Sequence, residues 1–126
     1  MPKTAQSSSQ TASRNAPPSL SNPAVALCAR AWERTYKRIL SAAPDEGKDA
    51  DDWEDFAKEK AEAAFRNALP PLCGEDNIRD FIACVAYALV NEIILPIVCT
   101  DYMEAAKVAL TSVRAHRRQP KSRAAQ

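Results

Sequence analysis

The sequence predicts an all-α protein: a small four-helix bundle with a disordered N-terminal tail and a basic C-terminal tail. Three observations carry this reading. Only two glycines occur among 126 residues that are rich in alanine, which favours helices over tight hairpins. Apolar residues recur at intervals of three and four in four separate stretches, and no stretch alternates with period two. Prolines stand where those stretches begin or end. The length suits one domain. The 46% hydrophobic and 26% charged content is that of an ordinary globular chain.

Residues 1–21, MPKTAQSSSQTASRNAPPSLS, are rich in Ser, Thr, Gln and Pro and poor in core-forming side chains. Such a segment buries too little to offset its ordering entropy, so a disordered tail is expected. The bundle domain is expected over 22–116, and 117–126 as a basic flexible tail. Its first helix should start at Asn22-Pro23, an N-cap followed by proline at the first helical position. Val25, Cys28, Trp32, Tyr36 and Ile39 form its inner stripe, which ends near Ser41. Arg30, Arg34 and Arg38 line the opposite side. Pro44, Asp45 and Gly47 mark a loop.

The second helix is expected from about Asp51 to Ala68, with Asp51 and Glu54 at capping-box spacing. Its apolar face holds Trp53, Phe56, Ala57, Ala64, Phe65 and Ala68, and its outer face is acidic. From Asp45 to Glu62 nine acids stand against three lysines. Antiparallel packing would set Asp55, Glu59 and Glu62 beside the arginine row of the first helix and favour that register.

The chain is organised around its third helix. Pro70 and Pro71 stop the second helix near Leu69. Gly74 can serve as an N-cap, and Glu75, Asp76 and Asp80 bring negative charge to a helix start. Glu75 and Arg79 are spaced for a helical ion pair. Ile78, Phe81, Ile82, Val85 and Leu89 follow as an apolar stripe, with Cys84, Tyr87, Ala88 and Val90 on the other faces. A helix apolar nearly all round is buried, and this run is too short to span a membrane. Pro96 should end it near Ile94, or kink it there.

The last helix begins at Pro96 or Thr100 and points Tyr102, Ala105, Ala106, Ala109, Leu110 and Val113 inward. Beyond Glu104 no acid occurs, while Lys107, Arg114, Arg117, Arg118, Lys121 and Arg123 contribute six positive charges. The formal net charge of +1 therefore conceals a segregated chain.

From Ala64 to Ala86 the sequence reads AFRNALPPLCGEDNIRDFIACVA. It resembles a family of short, uncharacterised bacterial helical proteins, often associated with mobile elements. In that family an Ala-aromatic-Arg turn leads through Pro-Pro-Leu to Asn-Ile-Arg-Asp-Phe-Ile-Ala-Cys-Val. Those residues stand here at Ala64 to Arg66, Pro70 to Leu72 and Asn77 to Val85, and the likeness continues through Glu104 to Val113. The resemblance implies a small helical protein of bacterial origin. It carries no known activity, so it transfers no catalytic or binding residue.

Little in the chain points to an enzyme. His116 is the one histidine and lies in the basic tail, which leaves Ser-His or Cys-His catalysis without a base. No glycine-rich phosphate loop occurs. Cys28, Cys73, Cys84 and Cys99 show no metal-type spacing, and Cys28 and Cys84 fall on apolar stripes as core thiols. No catalytic residue, cofactor or metal site is expected. Asp76 and Asp80 read as carboxylates favoured by a helix start. Asn77, Arg79, Asp80 and Phe81 read as a structural motif, with Asn77 and Arg79 bonding the Pro70-Pro71 carbonyls. Two functions remain. The first is a non-enzymatic interaction protein of a mobile element or of host defence. It would be a cytoplasmic homodimer without membrane contact, because four short helices barely cover so apolar a third helix. The second is a nucleic-acid-binding accessory protein that uses Lys107, Arg114, Arg117, Arg118, Lys121 and Arg123 on phosphates.

Overall fold

Four helices follow one another: α1 (Pro23–Ser41), α2 (Ala50–Asn67), α3 (Glu75–Val90) and α4 (Pro96–Arg118). The computed structural model describes residues 21–42 and 50–118, and no strand occurs among them. Apart from Ser21, the expected N-terminal tail lies outside the described residues, as do Lys121 and Arg123.

α1 starts as its sequence demands. Asn22 Oδ1 accepts from the backbone N–H groups of Ala24 at 2.8 Å and Val25 at 3.4 Å, and Pro23 follows it in the first turn. α2 begins at Ala50, so Asp51 lies within its first turn instead of capping it. The charges of Asp51 and Asp52 still favour that helix start. Gly74 caps α3 in the left-handed region at φ 83°, which suits a residue without Cβ.

α3 ends at Val90, earlier than the proline signal at Pro96 implied. Asn91 closes it, Glu92 turns left-handed at φ 55°, and Ile93 N–H reaches back to the Ala88 carbonyl at 2.8 Å. Glu92 N–H meets the Leu89 carbonyl at 3.2 Å. This pair of bonds is a Schellman closure, in which glycine normally holds the left-handed place. The closure uses up carbonyls that would otherwise be orphaned, so the helix stops before the proline is reached. Glu92→Gly is expected to stabilise the protein by about 0.5–1 kcal/mol: relief of left-handed strain outweighs the added freedom of the unfolded chain. A urea midpoint that falls on this substitution would disprove the account.

α4 starts at Pro96 itself; Thr100 lies inside it, its hydroxyl donating to the Pro96 carbonyl at 3.0 Å. The helix continues through Arg117 and Arg118, past the expected domain edge at 116.

α1 packs on α2, α3 on α4, and α1 on α3. The first two pairs are antiparallel hairpins. Trp53 Nε1 donates to the Ile39 carbonyl at 2.8 Å, and Tyr36 Oη donates to the Glu54 carboxylate at 3.0 Å, tying the end of α1 to the start of α2. Ala57 and Ala61 are fully buried, and their small side chains let α2 lie close to its neighbour. The hairpins meet where α1 and α3 run parallel: Asn22 Nδ2 donates to Asp80 at 3.1 Å, and farther along both helices Cys28 Sγ lies 3.7 Å from Cys84 Sγ. Val25, Phe65, Ile78, Val85, Ile94, Cys99 and Ala106 complete the core, and among the described residues no polar or charged side chain is buried.

The core stripe of α3 differs from the expected one. It runs through Ile78, Phe81, Cys84, Val85 and Ala88, while Leu89 is 42% and Val90 79% exposed. A helix apolar on every side has to present one face to whatever neighbours exist, and α1 and α4 cover only part of it. Ala105 is also exposed, and Phe56 lies at the surface beneath the Lys60 ammonium. The arginine and acidic rows do not meet: among the described residues no ion pair joins Arg30, Arg34 or Arg38 to α2. Those arginines lie across α1 from Val25, Cys28 and Trp32, where water solvates them.

Candidate functional site

The motif from Asn77 to Phe81 distributes its side chains in separate directions. Asn77 Nδ2 donates to the Cys73 carbonyl at 2.9 Å, and Arg79 Nη2 donates to Glu75 Oε2 at 2.9 Å. Neither bonds the Pro70-Pro71 carbonyls as expected. On a helix the nearest partner is four residues back, and both side chains take it. Asp80 receives Asn22, so one asparagine caps α1 with its oxygen and holds α3 with its nitrogen. Phe81 is buried edge-on against Tyr102 of α4, ring centres 5.8 Å apart. Each of these four side chains makes a contact within the fold.

Glu75 collects two of the six basic candidates. Besides Arg79 it holds Arg114, 3.5 Å from Oε2, and Arg117, 2.9 Å from Oε1. Oε1 is shut off from solvent and meets Arg117 as an ion pair without an aligned hydrogen bond. Three guanidiniums thus face one carboxylate, and the end of α4 is pinned to the start of α3. Lys107 stands apart on α4, 3.7 Å from Glu104. Arg118 closes the helix, and Lys121 and Arg123 fall outside the described residues.

Desolvation pushes the Glu75 carboxyl up, but Arg117, Arg114 and Arg79 together hold it below the usual carboxylate range. A depressed carboxylate contributes stability that is present above its unfolded pKa and lost as pH falls through its folded value. Glu75→Gln should therefore be less stable than the parent at neutral pH, and the gap should close as the solution is acidified below the ordinary glutamate range. Urea midpoints of the two proteins across that range test this. A gap independent of pH would mean that the carboxylate charge contributes nothing.

At the other end of α3 a cleft of about 720 Å³ opens between three helices and the α3–α4 turn. Trp32, Leu89, Ile93, Ile94 and Leu95 supply apolar walls, and Asp55, Glu59, Glu62 and Glu92 outnumber Lys58 around them. This is where the acidic row of α2 points. Beside the cleft, Leu95 is 66% and Ile97 72% exposed, and with Leu89 and Val90 they form an uncovered apolar corner. Val108, 68% exposed, lies three turns beyond Ile97 on the same side of α4.

Sequence reasoning missed the cleft and the corner. The available signal was the polar pair Asn91-Glu92 between Leu89-Val90 and Leu95-Pro96-Ile97, a turn in an apolar run. Among the described residues, no helix is long and apolar enough to cross a membrane, and no group of three or more His, Cys, Asp or Glu side chains is placed to hold a metal ion. His116 is exposed near the end of α4, on the far side of the molecule from the cleft. Compared with protein families, curated proteins and solved structures, the chain matches none.

Proposed function

We propose that the protein is a non-enzymatic interaction module that self-associates through the α3–α4 corner and the outer side of α4. The observation that carries this is the group of large apolar side chains left in water: Leu89, Val90, Leu95, Ile97 and Val108. Scattered apolar residues need no explanation, but Leu89, Val90, Leu95 and Ile97 stand together at one turn beside a cleft, as in a docking surface, and Val108 lies farther along the same side of α4. Charge supports a second copy as the occupant. Asp101 and Glu104 lie in the first half of α4, and Lys107, Arg114, Arg117 and Arg118 in the second half. Two α4 helices laid antiparallel set acid opposite base, whereas parallel helices set like against like. A cytoplasmic setting in a mobile element or in host defence accords with the family resemblance of the Ala64 to Ala86 segment.

Sedimentation across micromolar concentrations is expected to give a dimer, and Val108→Glu a monomer that keeps its helical content. A monomer mass for the parent at every concentration would remove the proposal, as would a dimer that Ile97→Glu and Val108→Glu leave intact.

One observation favours nucleic-acid binding as a second reading: Arg79, Arg114 and Arg117 carry more charge than Glu75 neutralises. They are nevertheless held by that carboxylate, and no aromatic side chain lies among them for base stacking. If phosphates are the target, a random duplex should be retarded in a mobility shift that weakens steeply with salt and disappears in Arg114→Glu.

A further inference from the structure

We propose that Cys28 and Cys84 are a reversible redox pair whose disulfide, formed by a peroxide-class oxidant, locks the two helical hairpins together. The inference stands apart from self-association and needs none of its residues. The two sulfurs are already in contact at 3.7 Å, and both side chains are fully buried. They face one another across the parallel α1–α3 seam, the main packing between the α1–α2 and α3–α4 hairpins. A disulfide needs its sulfurs about 2.05 Å apart, so oxidation has to draw the pair together by roughly 1.6 Å. Neither of the other thiols is placed this way: Cys73 is exposed, and Cys99 donates to the Ile94 carbonyl at 3.6 Å.

Both sulfurs are shut off from solvent, so a small oxidant reaches them only when the seam opens locally. A cavity of about 210 Å³ lies on the same seam, lined by Ala29, Trp32, Tyr87 and Ile93 among others. Ala29 follows Cys28 in the chain, and Tyr87 is one turn beyond Cys84. The two thiols also differ in reactivity. The hydrogen bond with Cys84 favours the thiolate at Cys28 against the opposing effect of burial, while that bond, burial and the nearby Asp80 charge push Cys84 up. Either sulfur can attack first, with the same products.

When Cys28 does so, its thiolate attacks one peroxide oxygen. The O–O bond breaks, hydroxide leaves and takes a proton to become water, and Cys28 becomes a sulfenic acid. Cys84 then attacks that sulfur. The S–O bond breaks, and the departing hydroxide takes the Cys84 proton as a second water. Two thiols and one hydrogen peroxide thus give one disulfide and two waters. The bond closes a loop from residue 28 to residue 84 and so restrains the unfolded chain.

Cys73→Ser protein, which lacks the exposed thiol, is treated with hydrogen peroxide, alkylated, and analysed by intact mass and peptide mapping. The expected result is loss of two hydrogens, a single Cys28–Cys84 linked peptide pair, and one alkylated thiol at Cys99. The thermal midpoint should rise by several degrees and return when dithiothreitol is added. Cys99→Ala in the same background should keep the linkage, and Cys84→Ala should abolish it. Three alkylated thiols after treatment, separate sulfinic acids at Cys28 and Cys84, or a linked protein that melts lower than the reduced one would each overturn the proposal. Peptide mapping of the Cys73→Ser protein stands even if Cys84→Ala fails to fold.

Discussion

Phe65→Ala is expected to destabilise the protein by about 3–5 kcal/mol, the range for emptying a buried aromatic site. Phe65 has no exposed surface, and its ring stacks on Tyr87 with centres 6.3 Å apart and planes 4° from parallel. It joins α2 to α3, and so one hairpin to the other, away from the α1–α3 seam. Its loss removes dispersion contacts on both sides and leaves a cavity that two helices tied by short loops cannot collapse to fill. A domain with one modest core sits near the lower part of the usual ~5–15 kcal/mol, so this single change should leave a measurable unfolded population. Urea unfolding read by circular dichroism measures it. A midpoint shift equivalent to less than about 1 kcal/mol would show that the ring is not part of the core. Phe65→Leu should recover most of the loss, because it keeps most of the volume.

Phe81→Ala should cost a similar ~3–5 kcal/mol by loosening a different contact. Phe81 is 7% exposed and meets Tyr102 of α4 edge-on, with ring planes 64° apart. An edge-to-face pair contributes about 0.5–1.5 kcal/mol beyond buried area, so a double-mutant cycle with Tyr102→Ala should return a coupling of that size. The cycle separates two claims that a single substitution merges. A large loss for Phe81→Ala with no coupling to Tyr102 would leave Phe81 in the core but remove its ring as the clamp between α3 and α4.

Much of the local structure was legible because its causes are local. An asparagine before a proline caps a helix within three residues of itself, and Asn22-Pro23 does so here. Gly74 starts α3, Pro96 starts α4 as one of the two starts that the sequence left open, and Glu75 pairs with Arg79 as spacing alone requires. The end of α3 was misread for a related reason. Proline is a strong symbol in a sequence, whereas a Schellman closure built on Glu92 has no glycine to announce it. The candidate site was harder to read. Of the basic residues that the sequence singles out on α4, Arg114 and Arg117 share a partner, Glu75, that is thirty-nine residues away for the first and forty-two for the second. No periodicity encodes that.

Periodicity and punctuation by themselves determined that this chain is all-helical, where most of its helices begin, and that Cys28, Phe65, Phe81 and Val85 face inward. Those properties follow from backbone geometry and from the sorting of apolar side chains away from water, and both act over a few residues. Only the tertiary structure decided which helices are neighbours. It set α1 parallel to α3, brought Cys28 against Cys84 and Asn22 against Asp80, and turned the acidic row of α2 toward a cleft instead of toward the arginines of α1. The physical reason is that exposed charge pairs are worth a few tenths of a kcal/mol each, whereas a buried aromatic is worth several. Packing of Phe65, Ile78 and Phe81 therefore chose the arrangement, and the charged rows went where that packing left them.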